Sequence, residues 1–400
     1  MDIAVDEEQT DSAIALFGGT MMSPVPDPYP VYRRLRSEQP AICLRGVLGP
    51  THLVTRYDDV VAGLKDGKTF SSRGNARGIG LVMGRTILEM EGPEHLRHRK
   101  IATPFFSPRA LRERVEKVVY EKVHGLIDEF ARDGQADLVE QFTFTFPLRV
   151  MADIIGIPIQ DFDQFHRWAL DLVSISDDPK RGFDAANLIV EYLKPIMGER
   201  RREPRQDLLS ALTHAEVDGE RLTEEEVLSF LRLLLPAGAE TTYRLSGSTL
   251  FAMLTHPHVR EELQANPSRV DAVIEETLRW ESPVQYTSRE ATVRVEFDGC
   301  EVPEGGLIMF AIGSANRDER HWDRPDDFVL GRPNLGDHVA FGFGEHYCAG
   351  SFLGRLEARV AVQALLERLP NLRLVPGEKA TMVGLAFRSP DRLPVRFDPQ

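Results

Sequence analysis

Residues 341–350 read Phe-Gly-Phe-Gly-Glu-His-Tyr-Cys-Ala-Gly. Cys348 is the chemical centre of this run. Gly342 and Gly344 precede it and Gly350 follows it, so the backbone can take conformations closed to other residues and approach a ligand closely. Beyond Gly350, Leu353, Leu356, Val360 and Leu365 recur at spacings of three to five, which is a helical pattern. The cysteine therefore sits on a tight loop that feeds a helix N-terminus. Backbone N–H groups and the positive end of the helix favour a thiolate there, and a thiolate on such a loop serves as nucleophile or metal ligand.

Working outward, the whole chain bounds the chemistry. Its 400 residues are 42% apolar and 28% charged, a globular composition long enough to enclose a large cofactor. A net charge of −14 argues against general nucleic-acid binding. The three cysteines, Cys43, Cys300 and Cys348, form no C-x-x-C pair. That usage fits a reducing compartment and neither a disulfide framework nor a structural zinc site. No uninterrupted apolar run approaches the ~20 residues that span a bilayer. Met1–Thr20 is acidic and polar and lacks the order of a signal peptide. The expectation is a soluble, cytoplasmic protein with no membrane span and no nucleic-acid partner.

Taken in order, residues 1–26 read as a flexible N-terminal arm and residues 27–400 as one domain. Met22–Pro30 holds four prolines, and a helix starts near Tyr29. Strand text follows at Ala41–Leu44 and His52–Thr55, then a short helix from Arg56 to Leu64. Ser71–Gly84 carries four glycines and reads as a mobile cover loop. His95 and Arg99 are four apart and share a helix face. Residues 111–202 are helical text with breaks at Gly134, at 156–158 and at 177–180, and Phe165, Leu170, Val173, Phe183, Leu188 and Tyr192 read mostly as core.

Thr223 and Glu226 form a capping box that opens the longest helix, which runs to about Thr255. Its middle, Leu-Leu-Leu-Pro-Ala-Gly-Ala-Glu-Thr-Thr, places Pro236 and Gly238 where a helix weakens and kinks. Glu240 and Thr241 stand there in apolar surroundings, and buried polar groups need partners. In the next helix Glu276 can pair with Arg279 at three residues, and Glu275 with Arg279 at four. Strand text at Val293–Phe297 and Leu307–Phe310 flanks a turn at 303–306, and a last strand covers Leu393–Phe397.

The cysteine run resembles the haem-binding loop of the cytochrome P450 family, whose pattern F-x-x-G-x-H-x-C-x-G is matched by Phe341, Gly344, His346, Cys348 and Gly350. The resemblance extends over Ala237, Gly238, Glu240, Thr241 and Thr242 in A-G-x-E-T-T, His95 and Arg99 in H-x-x-x-R, and Glu276 and Arg279 in E-x-x-R, in that family's order. It implies a mainly α, single cytochrome P450-type domain with small β-sheets. It implies haem b (iron protoporphyrin IX) as cofactor, with Cys348 as the axial iron ligand. Cofactor contacts are then expected from His95, Arg99, Ala237, Gly238, Arg289, Phe341, His346 and Gly350. Glu240 and Thr241 are the expected proton-relay pair. Glu276, Arg279 and Arg332 form a structural triad. Leu81, Val82, Leu233, Val284, Tyr286 and Phe387 are the expected substrate-pocket residues, with Ala237 beside them. Gly354, where the family often has alanine, is a small departure that loosens its helix.

The implied activity is monooxygenation of a hydrophobic small molecule with dioxygen. The chain shows no flavin or iron–sulfur signature, so electrons are expected from separate proteins, a ferredoxin and a ferredoxin reductase. The docking face behind Cys348 is expected to carry Arg56, Arg97, Lys100 and Arg355. The alternatives are a peroxide-driven peroxygenase and a non-catalytic haem-binding or gas-sensing protein.

Overall fold

The helix that opens at Thr223 is the axis of the molecule. Thr223 Oγ1 accepts from the Glu226 N–H at 3.2 Å, and the Glu226 carboxylate accepts from the Thr223 N–H at 2.7 Å. This reciprocal cap starts an unbroken helix, Glu224–Thr255. Most of its side chains are buried, which fits a helix apolar nearly all round and wrapped by others. Against it pack Phe146–Ile155, Val270–Trp280 and the cysteine-loop helix Ser351–Arg368, with Glu116–Phe130 behind the last. Their apolar faces merge into one large core that includes Phe142, Phe146, Leu231, Leu245 and Val362. The computed structural model describes residues 11–20, 22–46, 49–158, 162–176, 178–217 and 219–400.

β-structure lies to one side. A six-stranded sheet runs in the order Asp11–Ser12, Ala41–Gly46, Gly49–Val54, Leu307–Phe310, Thr287–Ala291, Phe70–Ser71. Leu307 pairs in parallel with Thr51, and Ile308 pairs antiparallel with Arg289. Four-residue Leu307–Phe310 is buried throughout, as expected of a strand covered on both faces. The remaining sheets have two or three strands. The chain is thus mainly α with small separate sheets.

Several details differ from the sequence reading. Ser71–Gly84 is not one open loop: it holds a 3-10 turn, Ser72–Arg77, and a short helix, Gly80–Met83. Ser71 Oγ caps the turn through the Arg73 N–H, and Asn75 Nδ2 ties it to the carbonyls of Ser72 and Leu88. Phe183 and Leu188, read as core, are exposed on Pro179–Arg202. Of the segment read as an arm, residues 1–10 and 21 lie outside the described residues. Asp11–Ser12 pairs with Leu44–Arg45, Val25 is buried, and Arg388 donates to the carbonyls of Val25 and Pro26 at 3.1 and 2.8 Å.

Candidate active site

The cysteine loop is built by glycine geometry and closed by backbone bonds. Gly342 and Gly344 have φ of +71° and +70°, a region that favours glycine. A Cβ on Gly344 would also stand 2.8 Å from the Leu64 carbonyl oxygen. The Cys348 N–H donates to the Phe341 carbonyl at 2.9 Å. Gly350 has an ordinary φ of −86°, so its glycine answers a different need. A Cβ there would lie 3.9 Å from Cys348 Sγ, and its absence keeps the space beside the sulfur clear. Cys348 itself is exposed at the cleft. Dense protein behind the sulfur pushes the thiol pKa up, while the Gly350 N–H and the Arg99 and Arg355 guanidiniums pull it down. The expected thiolate stabilisation is present, but in the protein alone burial outweighs it.

A cluster of two arginines and two histidines flanks the loop. His95 and Arg99 project from Gly92–Ala102, His346 from the loop and Arg289 from the sheet. Arg99 donates to the Glu345 carbonyl at 3.2 Å and to that of Tyr347. The His95 and His346 rings lie 4.4 Å apart. Burial, followed by Arg289, His95 and Arg99, drives the His346 pKa down to about 3. Burial also lowers Arg289 to about 10. Arg289 is 5% exposed and so is no solvated strand-edge arginine. His95 is equally buried, and neither ring nitrogen has a hydrogen-bond partner among the described residues. Among the described residues neither Arg99 nor Arg289 forms an ion pair with a carboxylate. Among the described residues Arg99 and Arg289 are met only by neutral oxygens, Arg289 by Thr287 Oγ1 and the Ser288 carbonyl, and the unpartnered buried nitrogens of His95 are costly unless a ligand completes them. A group that brings carboxylates to this cluster and a metal to Cys348 fits these residues, and the two propionates and iron of haem are such a group.

The middle of the long helix packs against the helix that follows the cysteine loop. Thr242 faces the cysteine-loop helix: a Cβ on Gly354 would lie 3.8 Å from Thr242 Oγ1. Beside this crossing Ala237 is exposed and Thr241, one turn on, is half-buried, while Leu235, Pro236, Ala239 and Glu240 are buried. Thr241 Oγ1 donates to the Ala237 carbonyl at 2.8 Å, which leaves its lone pairs free to accept. Gly238 is fixed by packing, since a Cβ would meet Met151 Sδ at 2.6 Å.

Glu240 is not a free acid. Arg244 Nε donates to Glu240 Oε1 at 3.0 Å, a second guanidinium nitrogen reaches the same oxygen, and the Tyr243 hydroxyl approaches it at 3.4 Å. Burial first, then Glu240, raises the Tyr243 pKa and keeps the phenol neutral. Arg244 also donates to Ser389 Oγ at 3.2 Å and lies over the Tyr243 and Phe387 rings at 4.7 and 5.5 Å. A cavity of about 290 Å³ opens on Tyr243, Arg244, Phe387, Ser389 and Asp391, and neither Cys348, Ala237 nor Thr241 lines it. Arg244 was missed by the sequence reading, although its spacing of four from Glu240 was a visible signal.

The pocket candidates are dispersed. Val284 and Phe387 meet through a backbone bridge. Tyr286 is partly buried against the cluster of Tyr29 and Tyr32, whereas Val82 and Leu233 are core and Leu81 is exposed. The triad is assembled in full: Arg279 and Arg332 donate to Glu276 at 2.7 and 2.9 Å, all three buried. Glu275 turns away to Arg355 and His338. Of the docking-face arginines, Arg56 is paired with Asp298, Arg97 with Glu226 and Arg355 with Glu275. Lys100 is exposed. Lys65 lies 4.8 Å over the ring of Phe343 in the cysteine loop, a position that only the folded chain reveals.

Comparison with known proteins agrees with this geometry. The cytochrome P450 family model matches residues 162–380. Cytochrome P450 107B1 of Saccharopolyspora erythraea is 36% identical over 91% of this chain and 94% of its own. The cytochrome P450 monooxygenase PikC of Streptomyces venezuelae is 36% identical over 93% of this chain and 91% of its own. A myxobacterial cytochrome P450 crystallised with myristic acid superposes with a TM-score of 0.88 at 31% identity, covering 97% of this chain and 100% of its own. With a cysteine loop whose following helix packs on the middle of the long helix, and relatives matched along nearly the whole chain, the protein belongs to the cytochrome P450 family of haem-thiolate monooxygenases.

Proposed function

We propose that this enzyme hydroxylates a hydrophobic small molecule, drawing electrons from a separate ferredoxin and its reductase. The observation that carries the reading is the crossing at which Thr242, next to Thr241 in the long helix, meets Gly354 of the helix that follows Cys348, with Cys348 itself exposed. Haem b is the cofactor of the family. Cys348 would hold its iron, and His95, Arg99, Arg289 and His346 would receive its propionates. Bound there, it supplies oxygen activation, which a thiolate ligand favours by donating electron density.

The chain's own residues do the rest. Thr241 offers an acceptor oxygen at the cleft, held in place by its bond to the Ala237 carbonyl. Glu240, one residue earlier, faces Arg244, which lines a cavity open to the outside. Protons can therefore enter from the far side of the long helix without water crossing the substrate pocket. Ordered proton delivery favours dioxygen over peroxide as the oxidant. Val284 and Phe387, joined at their backbones, form a firm apolar wall. The myristic acid held by the myxobacterial relative is an apolar ligand of the kind proposed here. Ferredoxin docks where Phe343 and Phe352 are exposed, with Lys65 beside Phe343 and the exposed Lys100 as a further steering charge.

The test screens apolar compounds, myristic acid among them, for a spin-state change, then turns over the hits. Hydroxylated product with ferredoxin, reductase and NAD(P)H, and little with hydrogen peroxide alone, is expected. Turnover with peroxide alone would establish the peroxygenase. No turnover in either system would leave a haem-binding protein.

A further inference from the structure

We propose that Cys43 and Cys300 form a second thiol site, distinct from Cys348, which hydrogen peroxide closes to a disulfide. The two are far apart in sequence and lie on different sheets. Cys43 is on Ala41–Gly46 of the six-stranded sheet, and Cys300 is on the hairpin made by Val295–Phe297 and Cys300–Val302. Side chains alternate between the two faces of a strand. Ile42 and Leu44 join the core cluster of Tyr29 and Leu53, whereas Ala41 joins that of Val54, Val60 and Phe310. Cys43 therefore shares the face of Ala41. On the hairpin Val302 belongs to the same cluster, Cys300 packs against it, and Glu301 between them is exposed.

Those two faces meet. Cys300–Val302 packs on Ala41–Gly46. The hairpin turn, Asp298–Gly299 with φ of +49° and +86°, is held there by an ion pair from Asp298 to Arg56 at 2.9 Å. The sulfurs feel one another: burial raises both thiol pKa values, and the charge of Cys43 raises that of Cys300 further. Both residues are only half-buried, so a small oxidant reaches them from solvent. His52 stands directly across from Cys43 in the strand pairing, hence on the same face. Burial lowers its pKa and keeps the ring neutral. Its Nδ1–H donates to the Leu307 carbonyl at 3.1 Å, which leaves Nε2 as the basic nitrogen on the side of the thiol pair.

Hydrogen peroxide is at hand in an enzyme that reduces dioxygen, because incomplete turnover releases it. One thiolate attacks a peroxide oxygen: an S–O bond forms, the O–O bond breaks, and the departing hydroxide takes a proton to become water. The second thiol attacks the sulfenic sulfur: the S–S bond forms, the S–O bond breaks, and a second water leaves. The two thiols lose two hydrogens and two electrons, and peroxide is reduced to two waters. Raised pKa values leave little thiolate at neutral pH, so the pair answers sustained peroxide and not a trace of it. The bond staples to Ala41–Gly46 the hairpin that connects Thr287–Ala291, the strand of Arg289, with Leu307–Phe310. A cross-link between residues so distant in sequence restricts the unfolded chain and raises the melting temperature.

The test takes the haem-loaded protein, reduced with dithiothreitol and desalted, and exposes it to hydrogen peroxide without substrate or electron donor. Peptide mass mapping under non-reducing conditions should find the Cys43 peptide joined to the Cys300 peptide, two hydrogens lighter than the free thiols, and dithiothreitol should part them. The oxidised protein should melt a few degrees above the reduced one. Cys43→Ser and Cys300→Ser should each lose the link and the shift, and each should leave its remaining thiol open to dimedone, which traps sulfenic acid. Dibromobimane, which fluoresces only on bridging two thiols, checks the spacing in the unaltered protein with no oxidant present, and its signal should vanish in either variant. Oxidation of the two cysteines without a link, a link through Cys348 or between molecules, or the lack of a bimane bridge would overturn the proposal.

Discussion

Glu275 accepts two hydrogen bonds from Arg355, at 2.5 and 2.9 Å, and a third contact from His338 at 3.0 Å. Arg355 in turn covers the ring of Phe341 at 4.4 Å, so this ion pair clamps the helix Val270–Trp280 to the cysteine loop. Burial pulls the Glu275 pKa up, yet Arg355 and His338 outweigh it and hold the group at about 2, below its usual 4.5.

A depressed carboxylate gives stability that is complete above its unfolded pKa and is lost as pH falls through the folded one. Glu275 therefore contributes fully above about pH 4.5, and its share disappears between there and about pH 2. Acid unfolding followed by haem absorbance should be less pH-dependent across that window in Glu275→Gln. The variant should also be less stable at neutral pH. A slope equal to that of the unaltered protein would show that the clamp carries no linkage.

Gly354→Ala should stabilise the protein. The position is buried in a helix, its φ is not in the glycine region, and the added methyl would meet Thr242 at an ordinary 3.8 Å. Glycine inside a helix costs about 1 kcal/mol relative to alanine. Thermal melts should shift upward with an unchanged visible spectrum, and a lowered melting point would mean that the crossing of the two helices is tighter than it measures.

The contrast between Glu275 and Glu276 shows what the sequence could and could not tell. Both stand at helical spacing from Arg279, and local geometry left the choice open. It was decided by residues 56 and 80 positions away, Arg332 and Arg355, each claiming one carboxylate. The long helix, its capping box and the cysteine loop were legible because each is encoded within a few residues. Arg289 was harder, since only the strand pairing shows that it is buried. Phe183 and Leu188 followed a core-like period but face outward, because period reports a shared face without saying what covers it. Val284 and Phe387 were both named as pocket candidates, but that they meet through a backbone bridge is a pairing between distant segments that leaves no local trace.

Thr241→Ala should bind haem and substrate as before and waste reducing power. The hydroxyl is anchored on the Ala237 carbonyl and presents its oxygen to the cleft. Without it, product per NAD(P)H should fall several-fold and peroxide should rise correspondingly. Unchanged coupling would remove Thr241 from the relay.

Because three of the four arginines and lysines expected at the docking face are already paired, the proposed steering of a ferredoxin falls to the exposed lysines. Screening acts over about 10 Å at 0.1 M salt. First-electron transfer in stopped flow should slow with ionic strength, and slow further in Lys65→Glu with Lys100→Glu, with substrate binding intact. Indifference to both salt and charge reversal would place docking on the exposed Phe343 and Phe352 alone.

The central claim is that Cys348 holds the haem iron as a thiolate. The purified protein is reduced under carbon monoxide and its visible spectrum recorded, beside Cys348→Ala. The unaltered protein should show the red-shifted band of a thiolate-ligated haem, and the variant should lack it. A variant that keeps the band would contradict the assignment of Cys348.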